Sequence, residues 1–152
     1  MSSMASFNSF KSEFHGDIVT VDQPDYEKAI ARWSVCAVKK ARIVAFVKDE
    51  DDVALAIKYA VAQNLPLAIR GGGHNVSGAS SVEDGLVIDL SRYINTVRVD
   101  SGKKLAYVGG GAVWGTVEKA AIAHGLATVG GNVNHVSIYS FGFVSPSVDA
   151  VC

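Results

Sequence analysis

Cysteine is nearly missing from this chain: Cys36 and Cys152 are the only two, and neither has a Cys or His partner at ligand spacing. That excludes a disulfide framework, and the reading is a free buried thiol at Cys36 and a loose terminal one at Cys152. Surplus charge is missing as well. Fourteen basic side chains face fifteen acidic ones, a formal charge of −1, so no overall field gathers nucleic acid or anionic lipid, and any anion must be held locally. No window approaches the roughly eighteen apolar residues of a membrane helix. Met1 to Asp25 also has no apolar stretch of the kind a secretory signal needs. The expectation is a cytoplasmic protein with no membrane or nucleic-acid partner. Internal repeats and low-complexity tracts are absent. What is present is 49% hydrophobic and 19% charged residues, the balance of a chain that buries a core, at a length that suits one domain.

Residues 1 to 25 carry little periodicity and close on Gln23-Pro24-Asp25, which predicts an extended leader. From Tyr26, the residues Ala29, Ile30, Trp33 and Ala37 recur at helical spacing behind Asp25 as a cap, which predicts a short helix. Arg42 to Val47 is β-branched and apolar, and Asp49-Glu50-Asp51-Asp52 follows at once, the pattern of a strand leading into a helix N-terminus. That helix should bury Val53, Ile57, Ala60 and Val61, and end near Asn64 with Pro66 as a stop. Leu67–Arg70 reads as the next strand, completing a βαβ unit with parallel strands and a right-handed crossover. Ligands gather at the carboxyl ends of such strands. Gly85 to Ser91 reads as a third, apolar strand, and Val97–Asp100 with Leu105–Val108 flank Ser101-Gly102-Lys103-Lys104 as an antiparallel hairpin. Ala112 to His124 returns to helical spacing through Val113, Val117, Ala120 and Ala121, closed by Gly125. The expected fold class is α+β: a small parallel βαβ subdomain, then a partly antiparallel sheet with helices.

The most informative stretch is Gly71-Gly72-Gly73-His74-Asn75-Val76-Ser77-Gly78, directly after a strand. Glycines let backbone N–H groups approach a ligand and adopt positive φ, and so can form an anion-binding concavity with phosphate as its natural guest. Spacing alone does not separate this from a plain tight turn. No Lys-Ser/Thr pair completes a P-loop, and Val76 occupies the third glycine position of G-x-G-x-x-G, so neither nucleotide motif is present. His74 is the one side chain of the loop that could act as nucleophile, ligand or proton carrier, though from the residues alone a solvent-facing or backbone-bonded histidine is the better fit. His124 and His135 have no spacing that suggests a metal site, and none is expected.

Taken together, Arg42 to Lys48 with Asp52-Val53, Pro66 to Asn75, Gly85 to Ser91, and Gly110-Gly111-Ala112-Val113-Trp114-Gly115 closely resemble the PCMH-type FAD-binding domain of vanillyl-alcohol-oxidase flavoproteins. The likeness is strongest to the berberine-bridge-enzyme-like and 6-hydroxynicotine-oxidase-like members, and runs from about Tyr26 to His135. The resemblance implies FAD as cofactor, held through Arg70, Gly71, Gly72, Gly73, His74, Asn75, Ser77 and Gly78, with Gly130, Gly131 and Asn134 starting a second flavin-contacting loop. It also implies a covalent flavin link at the position of His74. Bicovalent members carry a cysteine within the segment matching Ala127 to Gly131; here there is none, which implies a single histidyl link.

The expected division is therefore a leader at 1–25, the N-terminal portion of an FAD-binding domain at 26–135, and a divergent tail at 136–152. The expectation is a chain incomplete at its C-terminus, with no catalytic residue and no substrate domain of its own. Two functions follow from the resemblance. One is the FAD-binding portion of an oxidoreductase that passes a hydride from a small-molecule substrate to flavin, with oxygen as acceptor in the full-length family. The other is a truncated, non-catalytic FAD-binding fragment.

Overall fold

The computed structural model describes residues 3–138 and 150–151. The chain opens with helix α1 (Ser3–Glu13) and strand β1 (Asp17–Thr20), where an extended leader is expected from sequence. Phe10 of α1 and Phe14 just after it are buried, and Phe10 stacks on Tyr59 at 4.4 Å. This start is a layer of the core and not a leader. Helix α2 (Tyr26–Ile30) is shorter than the apolar spacing predicts: it ends at Ile30, Trp33 lies outside it and is 62% exposed, and Ala37 is buried in a single 3₁₀ turn. Cys36 in that turn is exposed, which corrects the buried thiol expected there; Cys152 lies outside the described residues.

Strand β2 (Ile43–Phe46), helix α3 (Glu50–Ala62), strand β3 (Leu67–Arg70) and strand β4 (Leu86–Asp89) follow as expected. The sheet order, however, is β1-β2-β4-β3, so β4 inserts between the two strands of the βαβ unit. Both pairs formed with β4 are parallel, while β1 joins β2 antiparallel. The central strands β2 and β4 are buried along their whole length, which explains their unbroken apolar runs. Alternate residues feed two clusters. Ile43, Ala45, Leu86 and Ile88 pack toward α1 and α3, and Val44, Phe46, Val87 and Ala68 pack toward Tyr26, Ala29 and Ile30 of α2.

Helix α3 turns a face inward that only partly matches the one predicted. Ala60 is buried and Val53 packs against the core as expected, but Asp52 and Ala56 take the other buried positions, whereas Ile57 is 43% and Val61 73% exposed. Alanines at i and i+4 let the helix lie close to the sheet, and Asp52 is satisfied there. Its carboxylate accepts from the backbone N–H of His15, Gly16 and Lys48 at 2.8, 2.9 and 2.9 Å. The segment that precedes β1 is thereby tied to the first turn of α3, and Asp49 caps the same helix by accepting from Asp52 N–H.

The hairpin strands β5 (Val97–Asp100) and β6 (Leu105–Val108) form a second sheet with β7 (Ala150–Val151). Helix α4 (Trp114–Ile122) buries Val117 and Ala121. It closes as predicted on Gly125, at φ +68°, with Leu126 N–H donating back to the Ala121 carbonyl. Most of the tail expected at 136–152 falls outside the described residues, apart from an antiparallel bridge of Ser137 to Val113 and the two residues of β7.

Candidate functional site

The glycine run leaves the carboxyl end of β3, beside the carboxyl end of β4, where a parallel arrangement places ligands. A cleft of about 420 Å³ opens there, lined by Arg70, Gly71, Gly72 and His74 of the loop, together with Trp33, Ser91, Asn95, Gly111, Ala112, Val113, Thr116 and His135. Its walls come from five separate stretches of chain.

The floor is an ion pair set by strand register. Arg70 and Asp89 are cross-strand partners, and Arg70 Nη1 donates to Asp89 Oδ2 at 2.8 Å and to the Ala29 carbonyl at 3.2 Å. The Asp89 side chain is fully buried, and its other oxygen accepts from Ser91 N–H and Oγ–H. Arg70 Nε is buried and has no partner among the described residues. Arg32 lies alongside, donating to the Ser80 carbonyl; burial above all, and then Arg70, push its guanidinium down to about 10, against the pull of Asp89.

The glycines of the loop have two roles. Gly73 adopts φ +71°, and its carbonyl accepts from Trp33 N–H. A Cβ on Gly72 would stand 2.9 Å from Ser137 N and 3.1 Å from the His135 carbonyl, and one on Gly71 2.8 Å from Ser137 Oγ. Glycine is therefore demanded here by the chain's own 135–137 segment. No described backbone carbonyl accepts from the N–H groups of Gly71, Gly72, Gly73 or His74.

Two rings contact His74: Trp33 stacks on it at 5.1 Å and His135 tilts against it at 4.6 Å. Burial first, and the charge of His135 second, hold its imidazole below the usual histidine range. That direction favours the uncharged imidazole.

Of the residues expected from sequence, Arg70, Gly71, Gly72 and His74 converge on the cleft, with Gly73 shaping the loop. Asn75 and Ser77 turn away into the loop's own Asx turn, where Asn75 Oδ1 accepts from Ser77 Oγ–H and Ala79 N–H. Gly78 takes φ +79° beside Lys39. Gly130 packs on the Trp114 ring, Gly131 is buried, and the Asn134 carbonyl accepts from Gly115 N–H. These six lie outside the cleft lining. Sequence reasoning missed Trp33, Asn95, Thr116 and His135; only the Gly110–Gly115 stretch pointed toward that wall.

The residues present fit a phosphate-bearing group. Free backbone donors, a cradle that side chains would fill and the orphaned Arg70 Nε are the chemistry that holds an anion without a net charge on the protein.

The profile of a family described as the FAD binding domain matches residues 41–141. The FAD-linked oxidoreductase YgaK of Bacillus subtilis is 34% identical over 128 residues, which is 84% of this chain and 28% of that protein. The (R)-6-hydroxynicotine oxidase of Paenarthrobacter nicotinovorans is 30% identical over 116 residues, 76% of this chain and 25% of that one. Among solved structures, 6-hydroxy-D-nicotine oxidase from Arthrobacter nicotinovorans superposes with a TM-score of 0.79 at 29% identity, covering 82% of this chain and 27% of that one. The chain thus spans about a quarter of the length of these relatives. In sequence and in fold, the chain belongs to the FAD-binding domain family of the vanillyl-alcohol-oxidase and berberine-bridge-enzyme-like FAD-linked oxidoreductases.

Proposed function

We propose that the 71–74 loop holds the pyrophosphate of FAD through its backbone N–H groups, and that His74 is the attachment point of a single histidyl link to the flavin. The carrying observation is the cleft at the carboxyl end of β3, with glycine donors that no described carbonyl engages. Arg70 lends its unpaired Nε to the same anion while Asp89 fixes the guanidinium. Asn75, Ser77 and Gly78 act by shaping the loop, and Gly130, Gly131 and Asn134 by seating the 134–137 segment against α4. Residues 26–135 are read as the FAD-binding portion.

Bound FAD would supply the redox chemistry, accepting a hydride from a small-molecule substrate, with dioxygen as acceptor, in a protein of the relatives' length. The residues of this chain bind and orient, and turnover is assigned to the longer protein. A second reading, an FAD-binding unit without turnover of its own, is favoured by the span of about a quarter of the relatives.

The test is a competition. FAD titrated against the chain by fluorescence should be displaced by ADP or inorganic pyrophosphate and poorly by riboflavin. Displacement by riboflavin with no effect of pyrophosphate would remove the glycine loop from the site.

A further inference from the structure

His74, Trp33 and His135 come from three segments far apart in sequence, and the backbone ties each ring in place. Trp33 N–H donates to the carbonyl of Gly73, the residue before His74. His135 lies between Asn134 and Val136, whose carbonyls accept from the first N–H groups of α4, Gly115 at 2.6 Å and Trp114 at 3.1 Å. The His135 ring is thus carried on a segment pinned to a helix end, and it meets the His74 ring at 4.6 Å, with 49° between the planes. Trp33 also stacks on the His74 ring, at 5.1 Å and 26°.

We propose that Trp33 and His135 form a clamp on His74, with His135 a positioning residue that fixes the orientation of the His74 imidazole and keeps it uncharged. The physical basis is that two imidazoles in contact do not both accept a proton readily, because the first charge opposes the second. A neutral imidazole is a nucleophile; an imidazolium is not. The other charged groups near the loop are Arg70 and Arg32, beside Gly73, Lys39, beside Gly78, and Asp89, paired with Arg70. Asp89 is committed to Arg70 and Ser91, so no carboxylate on that side stabilises a charged His74. The lowered His74 titration agrees with this arrangement, burial acting first and His135 second. The inference deepens the FAD reading, which it needs for the identity of the electrophile but not for the clamp itself.

The experiment is a side-chain NMR titration of the full chain, with the His74 resonance assigned by its loss in His74→Asn. In the parent His74 should titrate below an ordinary imidazole, about 6.5. In His135→Asn its midpoint should rise toward that value, and its modification by diethyl pyrocarbonate near pH 6 should slow. His135→Phe is the second variant: it keeps a ring against His74 and removes the charge, so the midpoint should rise while the ring-current shift from Trp33 persists. Trp33→Leu should lose that shift. A His74 midpoint that is the same in parent, His135→Asn and His135→Phe overturns the clamp. FAD titration of the parent reports the underlying reading separately: an unmoved midpoint defeats the clamp even where FAD binds, and a raised one supports it even where FAD does not.

Discussion

Gly72 carries one observed constraint and one proposed one: its missing Cβ makes room for Ser137 N–H and the His135 carbonyl, and the proposed function adds an anion at its N–H. Gly72→Val is therefore expected to abolish FAD retention. Because the 135–137 segment would be displaced too, the fluorescence titration should be paired with a thermal melt, and unchanged FAD affinity would take the loop out of the site. The Arg70–Asp89 pair makes a second residue-scale prediction. Asp89→Ala leaves a largely buried guanidinium without its partner, and unfolding in urea should show a loss of about 3–5 kcal/mol. Arg70→Met combined with Asp89→Leu should recover much of that; a single variant as stable as the parent would show the pair to be incidental. At this scale the sequence made legible what lies within one stretch: Arg70, Gly71, Gly72 and His74. Trp33, Asn95, Thr116 and His135 reach the cleft from turns and loops scattered along the chain, and no local periodicity ties them to the glycine run.

Strands were the easiest elements to read, because β2 and β4 are buried on both faces and therefore uniformly apolar. Helix faces were harder. In and just after α1 the core contacts Phe7, Phe10 and Phe14 recur at helical spacing, yet Ser, Asn and Lys between them dilute the pattern until it reads as irregular. In α3 the larger side chains Ile57 and Val61 suggested the wrong face, because close packing on the sheet selects small alanines and a buried carboxylate that propensity rules place outside. Ile57→Lys and Val61→Lys should accordingly shift stability by no more than about 0.5 kcal/mol. Ala56→Leu should cost about 1–3 kcal/mol by overpacking; the reverse order in denaturant melts would restore the face expected from sequence. The join between α1, β1 and α3 also has a pH signature. The hydrogen bond and charge of Asp49 raise the His15 titration above its ordinary 6.5. The contribution to stability is thus complete below about 6.5 and is lost as pH rises through the raised value. His15→Gln should flatten that part of the profile of melting temperature against pH. A parent profile identical to that of the variant would show the ion pair to be idle.

At the scale of the molecule, the cleft lies where the mixed sheet meets the hairpin sheet with its helix: Gly71, Gly72 and His74 come from one side, Gly111 to Thr116 from the other. The order of elements was legible as two successive patterns, parallel then antiparallel. The insertion of β4 between β2 and β3 was not, since any of these apolar strands can pair with either neighbour and only packing selects one. This geometry sets the last prediction. A covalent bond at His74 needs the flavin ring held against the imidazole, and its rate depends on how firmly the two are kept together. The described cleft, about 420 Å³, is at the small end for a site that must enclose a large ligand. The relatives place roughly three times as much further chain beside the matched region. This chain should therefore bind FAD through the loop yet link it slowly. A chimera joining residues 1–138 to the remainder of the Bacillus subtilis relative should link it readily. Both proteins would be incubated with FAD and denatured in acid. Flavin fluorescence travelling with the polypeptide would then be measured, and the mass of FAD sought on the peptide containing His74. Flavin on another residue, or a chimera that turns over with no linked flavin, would sink the assignment of His74. Efficient linkage by this chain alone would show that its own loop and clamp suffice to hold the ring in place.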